Sequence, residues 1–327
     1  MTKIICYCLS LLLCVCLFVN VSLAQNKPLP SKPTIENPSA AASLSTTFDP
    51  PKAFNHIRSQ VNFGPHWAGS PAIKEVRNYL TQELASYGLT VHQDAFMAQT
   101  PNPKFPTVEM VNLIAEIPGK KKDIVILASH YDTKWFPEED FLGANDGGSS
   151  TGVLLELARV LAKSNPEYTL WLVFFDGEEA MNIEWQGTDH TYGSTHLLNK
   201  LRIEKKLSNI RAMVLLDMIG DKELNICRDE SSTGWLKNII YSTAEELGYQ
   251  KSFPNETCDI EDDHTPFLRA GVAAVDIIDF DYGPDNDFWH TKEDSLDKIS
   301  LESLKTVGDT VLNSLPKIFN YLNKTTK

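Results

Sequence analysis

Residues 170–179 read Leu170-Trp171-Leu172-Val173-Phe174-Phe175-Asp176-Gly177-Glu178-Glu179, an unbroken apolar run that stops abruptly at a polar turn. A run this short has strand length, and one without alternation belongs in a sheet covered on both faces. Comparable runs cover 110–117, 123–129, 213–218 and 273–278. Between them, 150–163, 192–206 and 232–247 have helical spacing, and 301–322 is amphipathic. Upstream, Val76, Leu80, Leu84 and Tyr87 fall at helical intervals within 71–87, which ends before Gly88. Strands alternating with helices predict an α/β protein with a largely parallel sheet. Ligands in such sheets bind beyond the carboxyl ends of the strands.

The whole chain fits that class. Of its 327 residues 42% are hydrophobic and 22% charged, which excludes a disordered, collagen-like or coiled-coil protein. Acidic residues outnumber basic ones 43 to 30, a net charge of −13. Nucleic acid and anionic membrane surfaces need a basic footprint, so neither is an expected partner.

The first 24 residues read as a secretory signal: Lys3, then an uncharged run from Ile4, then Ser22-Leu23-Ala24 before Gln25. The competing reading is a membrane anchor, since the run is just long enough to span. Removal of the signal predicts an exported protein, periplasmic or secreted, with no membrane contact. Residues 25–48, rich in Pro, Ser, Ala and Thr, read as a flexible leader, and 49–327 as one catalytic domain. Cys6, Cys8, Cys14 and Cys16 would leave with the signal. Cys227 and Cys258 remain, either bonded in an oxidising compartment or as two separate buried thiols.

Chemistry concentrates where the strands end. Strand 123–129 runs into His130-Tyr131-Asp132, and a loop delivers Gly143-Ala144-Asn145-Asp146-Gly147-Gly148 at a helix start. Strand 170–175 ends in Asp176-Gly177-Glu178-Glu179, strand 213–218 carries Asp217, and a late loop holds Phe288-Trp289-His290-Thr291. Two carboxylates and an imidazole suit zinc with one position left open for substrate. Adjacent glutamates in extended backbone point opposite ways, so one can ligate while the other moves a proton. Singly, each piece has a plainer role: Asp146 could cap the following helix, and a His after a strand is commonly structural. Their convergence in one layered chain favours a metal site.

In this order the residues resemble the zinc-dependent exopeptidase fold shared by co-catalytic aminopeptidases and animal-type glutaminyl cyclases. The likeness runs from about Phe54 to Leu312. It implies a three-layer sandwich with a central mixed, mostly parallel sheet. It also implies that Asp146, Glu179 and His290 bind zinc, with Glu178 as the acid/base. His130 and Asp217 are then second-metal candidates: two zinc ions in an aminopeptidase, one in a cyclase. The run from Gly143 to Ser149 looks like the aminopeptidases. The 180–191 insertion with Trp185, the segment 214–220 around Asp217, Asp262-Asp263-His264-Thr265-Pro266-Phe267-Leu268, and Trp289 before His290 look like the cyclases. The animal cyclases' cysteine pair near the Asp146 loop is missing.

The resemblance therefore implies a zinc-dependent glutaminyl-peptide cyclotransferase acting on N-terminal Gln peptides or proteins. Glu178, Asp217 and Asp262 would be catalytic, and Trp185 and Trp289 would bind substrate. The alternative is a zinc aminopeptidase of the same fold, in which water rather than the substrate's amine is the nucleophile. A third reading is a secreted binding protein on an inactive fold. No partner protein is implied.

Overall fold

The structure, a computed structural model, describes residues 47–325. The expected signal segment, and all of the expected leader except Thr47 and Phe48, lie outside them. Phe48 is already packed: it is buried, and a Cβ on Gly308 of the last helix would collide with its ring.

Two helices open the described residues, α1 (Pro50–Asn62) and α2 (Pro71–Ser86). Each starts with proline in its first turn, where a missing N–H costs nothing. Ser70 Oγ caps α2 by accepting the Ile73 N–H at 3.1 Å. Then follow β1 (Val91–Gln99), β2 (Thr107–Ile117), β3 (Lys121–His130), α3 (Gly148–Leu161), β4 (Tyr168–Phe175), α4 (Tyr192–Ile203) and β5 (Ile210–Asp217). The short β6 (Arg228–Asp229) precedes α5 (Gly234–Glu246) and pairs with β7 (Thr257–Cys258). The described residues finish with α6 (His264–Arg269), β8 (Ala274–Ile278) and α7 (Leu301–Thr325).

Six strands form the central sheet in the order β1-β2-β4-β3-β5-β8. The strands β4, β3, β5 and β8 run parallel, and β2 is antiparallel to both of its neighbours. The sheet is thus mixed and mostly parallel. Side-chain alternation assigns its faces. Val125, Leu127, Leu172, Phe174, Val214, Leu216 and Ile277 pack under α1, α2, α3, α5 and α7. Ile126, Ala128, Val173, Phe175, Met213, Leu215 and Ala274 pack under α4 and α6. The same parity sends His130 and Asp217, at the carboxyl ends of β3 and β5, toward the α4/α6 side.

Cys227 and Cys258 are disulfide-bonded, their Cα atoms 5.9 Å apart, beside the β6–β7 pair. Among the described residues no helix is long and apolar enough to cross a membrane.

Candidate metal centre and active site

The carboxyl ends of β3, β4 and β5 bring the expected residues together. Two donor groups stand there among the described residues, His130/Asp146/Asp217 and Asp146/Glu179/His290, with Asp146 common to both. Asp146 Oδ2 is 3.2 Å from His290 Nε2, and Asp146 Oδ1 is 3.3 Å from His130 Nε2. Glu179 Oε1 lies 2.9 Å from His290 Nε2, and Asp217 Oδ1 lies 3.1 Å from His130 Nε2.

Local sequence explains these placements. Gly177 (φ +73°) turns the chain after β4, so that Glu178 and Glu179 follow as a pair. Their N–H groups donate to the two oxygens of Asp132, at 3.1 and 3.3 Å. Gly147 (φ +74°) lets the Asp146 loop pass His130, whose ring a Cβ would meet at 2.8 Å. Asp294 holds that loop from behind: its carboxylate accepts the Asn145 and Asp146 N–H groups at 2.7 and 3.1 Å and the Tyr282 hydroxyl at 2.9 Å. His290 itself has φ +56°, a conformation a non-glycine residue keeps only where its surroundings enforce it. Trp289 stacks on its ring at 4.0 Å, and Phe136 and Phe141 meet it edge-on at 5.9 and 5.6 Å.

The field here is strongly negative. Burial opposes a charge on His290, yet Glu179 and Asp146 raise it to about 10. Burial likewise opposes a charge on His130, but Asp217 and Glu178 carry it well above the ordinary range. Burial drives Glu178 well above a normal carboxyl; His130 offsets part of this, and the charges of Asp262 and Glu179 add to it. Asp262 is raised well above its usual range by burial and by Asp217. A bound cation fits this donor set. Asp146 Oδ2 and Glu179 Oε2 are buried without a hydrogen bond, a costly state for a carboxylate that coordination would relieve.

The predicted aromatic contacts divide. Trp289 touches the donor His290. Trp185 is half-buried in the 180–191 loop and stacks on His190 at 4.3 Å, its indole N–H buried without a partner. Asp189 pins that loop, accepting the Met181 and Asn182 N–H groups at 3.0 and 2.9 Å.

Sequence reasoning missed Asp132, Asp294 and Lys134. The Lys134 ammonium is buried, donates to the Ala180 carbonyl at 3.0 Å and lies 3.6 Å from Glu179 Oε2. The only signal for Asp132 was its place two residues after His130. Asp294 and Lys134 had none.

Residues 112–315 match the model of "Peptidase family M28". Glutaminyl-peptide cyclotransferase of Bos taurus is 30% identical over 297 residues, covering 74% of this chain and 76% of the relative. Among solved structures, a glutaminyl cyclase from an Acidobacteriales bacterium superposes with a TM-score of 0.78 at 37% identity, covering 91% of this chain and all of that one (100%). A protein described as a leucine aminopeptidase precursor from Bacteroides thetaiotaomicron gives 0.73 at 29% identity, covering 82% of this chain and 97% of the other.

Proposed function

The chain belongs to peptidase family M28 and to the glutaminyl-peptide cyclotransferase family, and we propose that it cyclises N-terminal Gln of peptides or proteins to pyroglutamate with release of ammonia. The observation that carries this reading is the split of the adjacent glutamates. Glu179 faces His290 and Asp146, while Glu178 turns to the other side, toward His130, with Oε2 3.9 Å from His130 Nδ1. One carboxylate is thereby free for proton transfer beside a donor group.

Asp146, Glu179 and His290 would hold zinc, which supplies Lewis-acid polarisation of the side-chain amide carbonyl. The substrate's α-amine attacks the amide carbon, forming the ring C–N bond. Glu178 accepts the proton that this nitrogen sheds and returns it to the departing nitrogen as the C–NH₂ bond breaks and ammonia leaves. Burial, joined by repulsion from Asp217, favours a proton on Asp262, and burial also raises Asp217 although His130 offsets part of this. A protonated carboxyl would thus be available as a hydrogen-bond donor to the reacting amide. Trp289, stacked on His290, walls the pocket. Trp185 is assigned to its mouth.

An uncyclised substrate with zinc retained is the expected result for Glu178→Gln. A variant that still releases ammonia at the wild-type rate overturns the role of Glu178.

A second reading, aminopeptidase hydrolysis with two ions, is favoured by one observation: His130 and Asp217 complete a second donor group on Asp146. The cyclase reading is preferred because the similar proteins described above include glutaminyl cyclases at 30% identity over 74% of this chain and at 37% identity over 91% of it. We also place the protein outside the cytoplasm. The signal-like residues 1–24 and the Cys227–Cys258 bond support export. Mass spectrometry of the mature protein beginning at Gln25 is the expected result, and a retained N-terminus would argue for the anchor.

A further inference from the structure

The segment carrying Asp262 has no ladder of its own. Residues 259–263 connect the two-residue β7 to the short α6. Asp262 is poorly held through its own carboxyl: one oxygen accepts the neighbouring Asp263 N–H, and Oδ2 is buried with no partner. Its position therefore depends on how the backbone on either side is fastened.

Two fastenings flank it. The disulfide ties Cys258 to Cys227. Asp229, two residues after Cys227, is buried and gathers the rest. Its Oδ1 accepts the Ile260 N–H at 3.2 Å, before Asp262, and its Oδ2 stands 3.3 Å from His264 Nε2, just after. Oδ2 also accepts the Ser231 hydroxyl at 2.7 Å and both the N–H and the hydroxyl of Ser232, at 2.7 and 2.6 Å. Ser232 Oγ then accepts the Asp276 N–H at 3.0 Å, which anchors the assembly on β8 of the central sheet. Although burial opposes its charge, the hydrogen bonds from His264, Ser232 and Ser231 hold the Asp229 carboxyl below the usual range. Asp229 stands in neither metal donor group.

We propose that Asp229, together with the Cys227–Cys258 disulfide, is a positioning device that holds Asp262 in register with Glu178 and Asp217. The brace then governs the rate of cyclisation as well as the stability of the fold. This inference rests on the cyclase reading and on the role given there to Asp262.

A double-mutant cycle tests it, with kcat, KM and zinc content measured for the wild type, Asp229→Ala, Asp262→Ala and the double variant. A positioning residue should cost kcat on the order of 10- to 100-fold in the wild-type background, with KM and zinc unchanged. In the Asp262→Ala background the same change should cost no more than about twofold, because the group it positions is gone. Equal losses in both backgrounds, or a rate loss that follows zinc loss, overturn the proposal. If Asp229→Ala does not fold, Cys227→Ser/Cys258→Ser replaces it in the same cycle, with the same two outcomes. A wild type that releases no ammonia from a Gln peptide would instead sink the cyclase reading. An active wild type with additive losses would sink the brace alone.

Discussion

Asp146 meets His290 through Oδ2, at 3.2 Å, and that contact leaves Oδ1 turned toward His130. A single carboxylate thus joins two candidate donor groups, and the number of ions they would hold separates the cyclase reading from the aminopeptidase reading. In the cyclase reading the ion belongs to Asp146, Glu179 and His290. Metal analysis should find one zinc per chain. His290→Ala should lose it, and His130→Ala should keep it. Two zincs per chain, the second lost with His130→Ala, would support the aminopeptidase.

Asp276 gives a stability prediction with a definite sign. It is buried, neither carboxyl oxygen has a hydrogen bond, and burial followed by the charges of Asp262 and Asp217 raises its carboxyl well above the ordinary range. A folded value above the unfolded one means that the native state binds the extra proton. The stability linked to it is complete below the unfolded value of about 3.9 and is lost as pH rises through the folded value. Asp276→Asn removes the charge that would otherwise form. The variant should gain a few degrees in Tm at pH 8, relative to wild type, and little at pH 4. An equal shift at both pH values would contradict this explanation.

The disulfide closes a loop across a sequence separation of 31 residues. Removing it as Cys227→Ser/Cys258→Ser should lower unfolding stability by about 2–4 kcal/mol, read by denaturant titration. An unchanged midpoint would mean that the hydrogen bonds of Asp229 alone hold the 257–264 segment.

How far these features were legible in the sequence depended on what each leaves there. Asp146, Glu178, Glu179, Asp217 and His130 stand at strand ends or a helix start, so their placement beyond the sheet could be read from periodicity, whereas His290 sits in a late loop and its role came from the resemblance. The helices at 71–87 and 301–322 were visible because apolar residues repeat on one face. Strand β1 was not: it is an edge strand with only Asp94 and Ala98 buried, so it shows no apolar alternation. Helix α1 was hidden by Asp49-Pro50-Pro51, which reads as a continuation of the leader. Asp132 and Asp294 act by accepting backbone N–H groups, and Lys134 by burial beside Glu179; such contacts impose no spacing. The Cys227–Cys258 bond needed a Cα separation, which sequence does not carry.

Trp289 and Trp185 should behave differently. Trp289 stacks on the ring of His290, a member of a candidate metal-donor group, so on the proposed reading Trp289→Leu should raise KM and lower kcat together. Trp185 touches only His190 among the aromatic rings of the described residues. Trp185→Ala should therefore raise KM for Gln peptides with kcat nearly kept, the mark of lost uniform binding. A fall in kcat alone would move Trp185 from the pocket mouth to the reacting centre.

The most direct measurement is product analysis on the purified zinc-loaded protein offered a Gln-initiated and a Leu-initiated peptide side by side. The cyclase reading requires the Gln peptide to lose the mass of one ammonia and the Leu peptide to remain intact. Release of free Leu, with the Gln peptide unchanged or hydrolysed, would contradict it and establish an aminopeptidase.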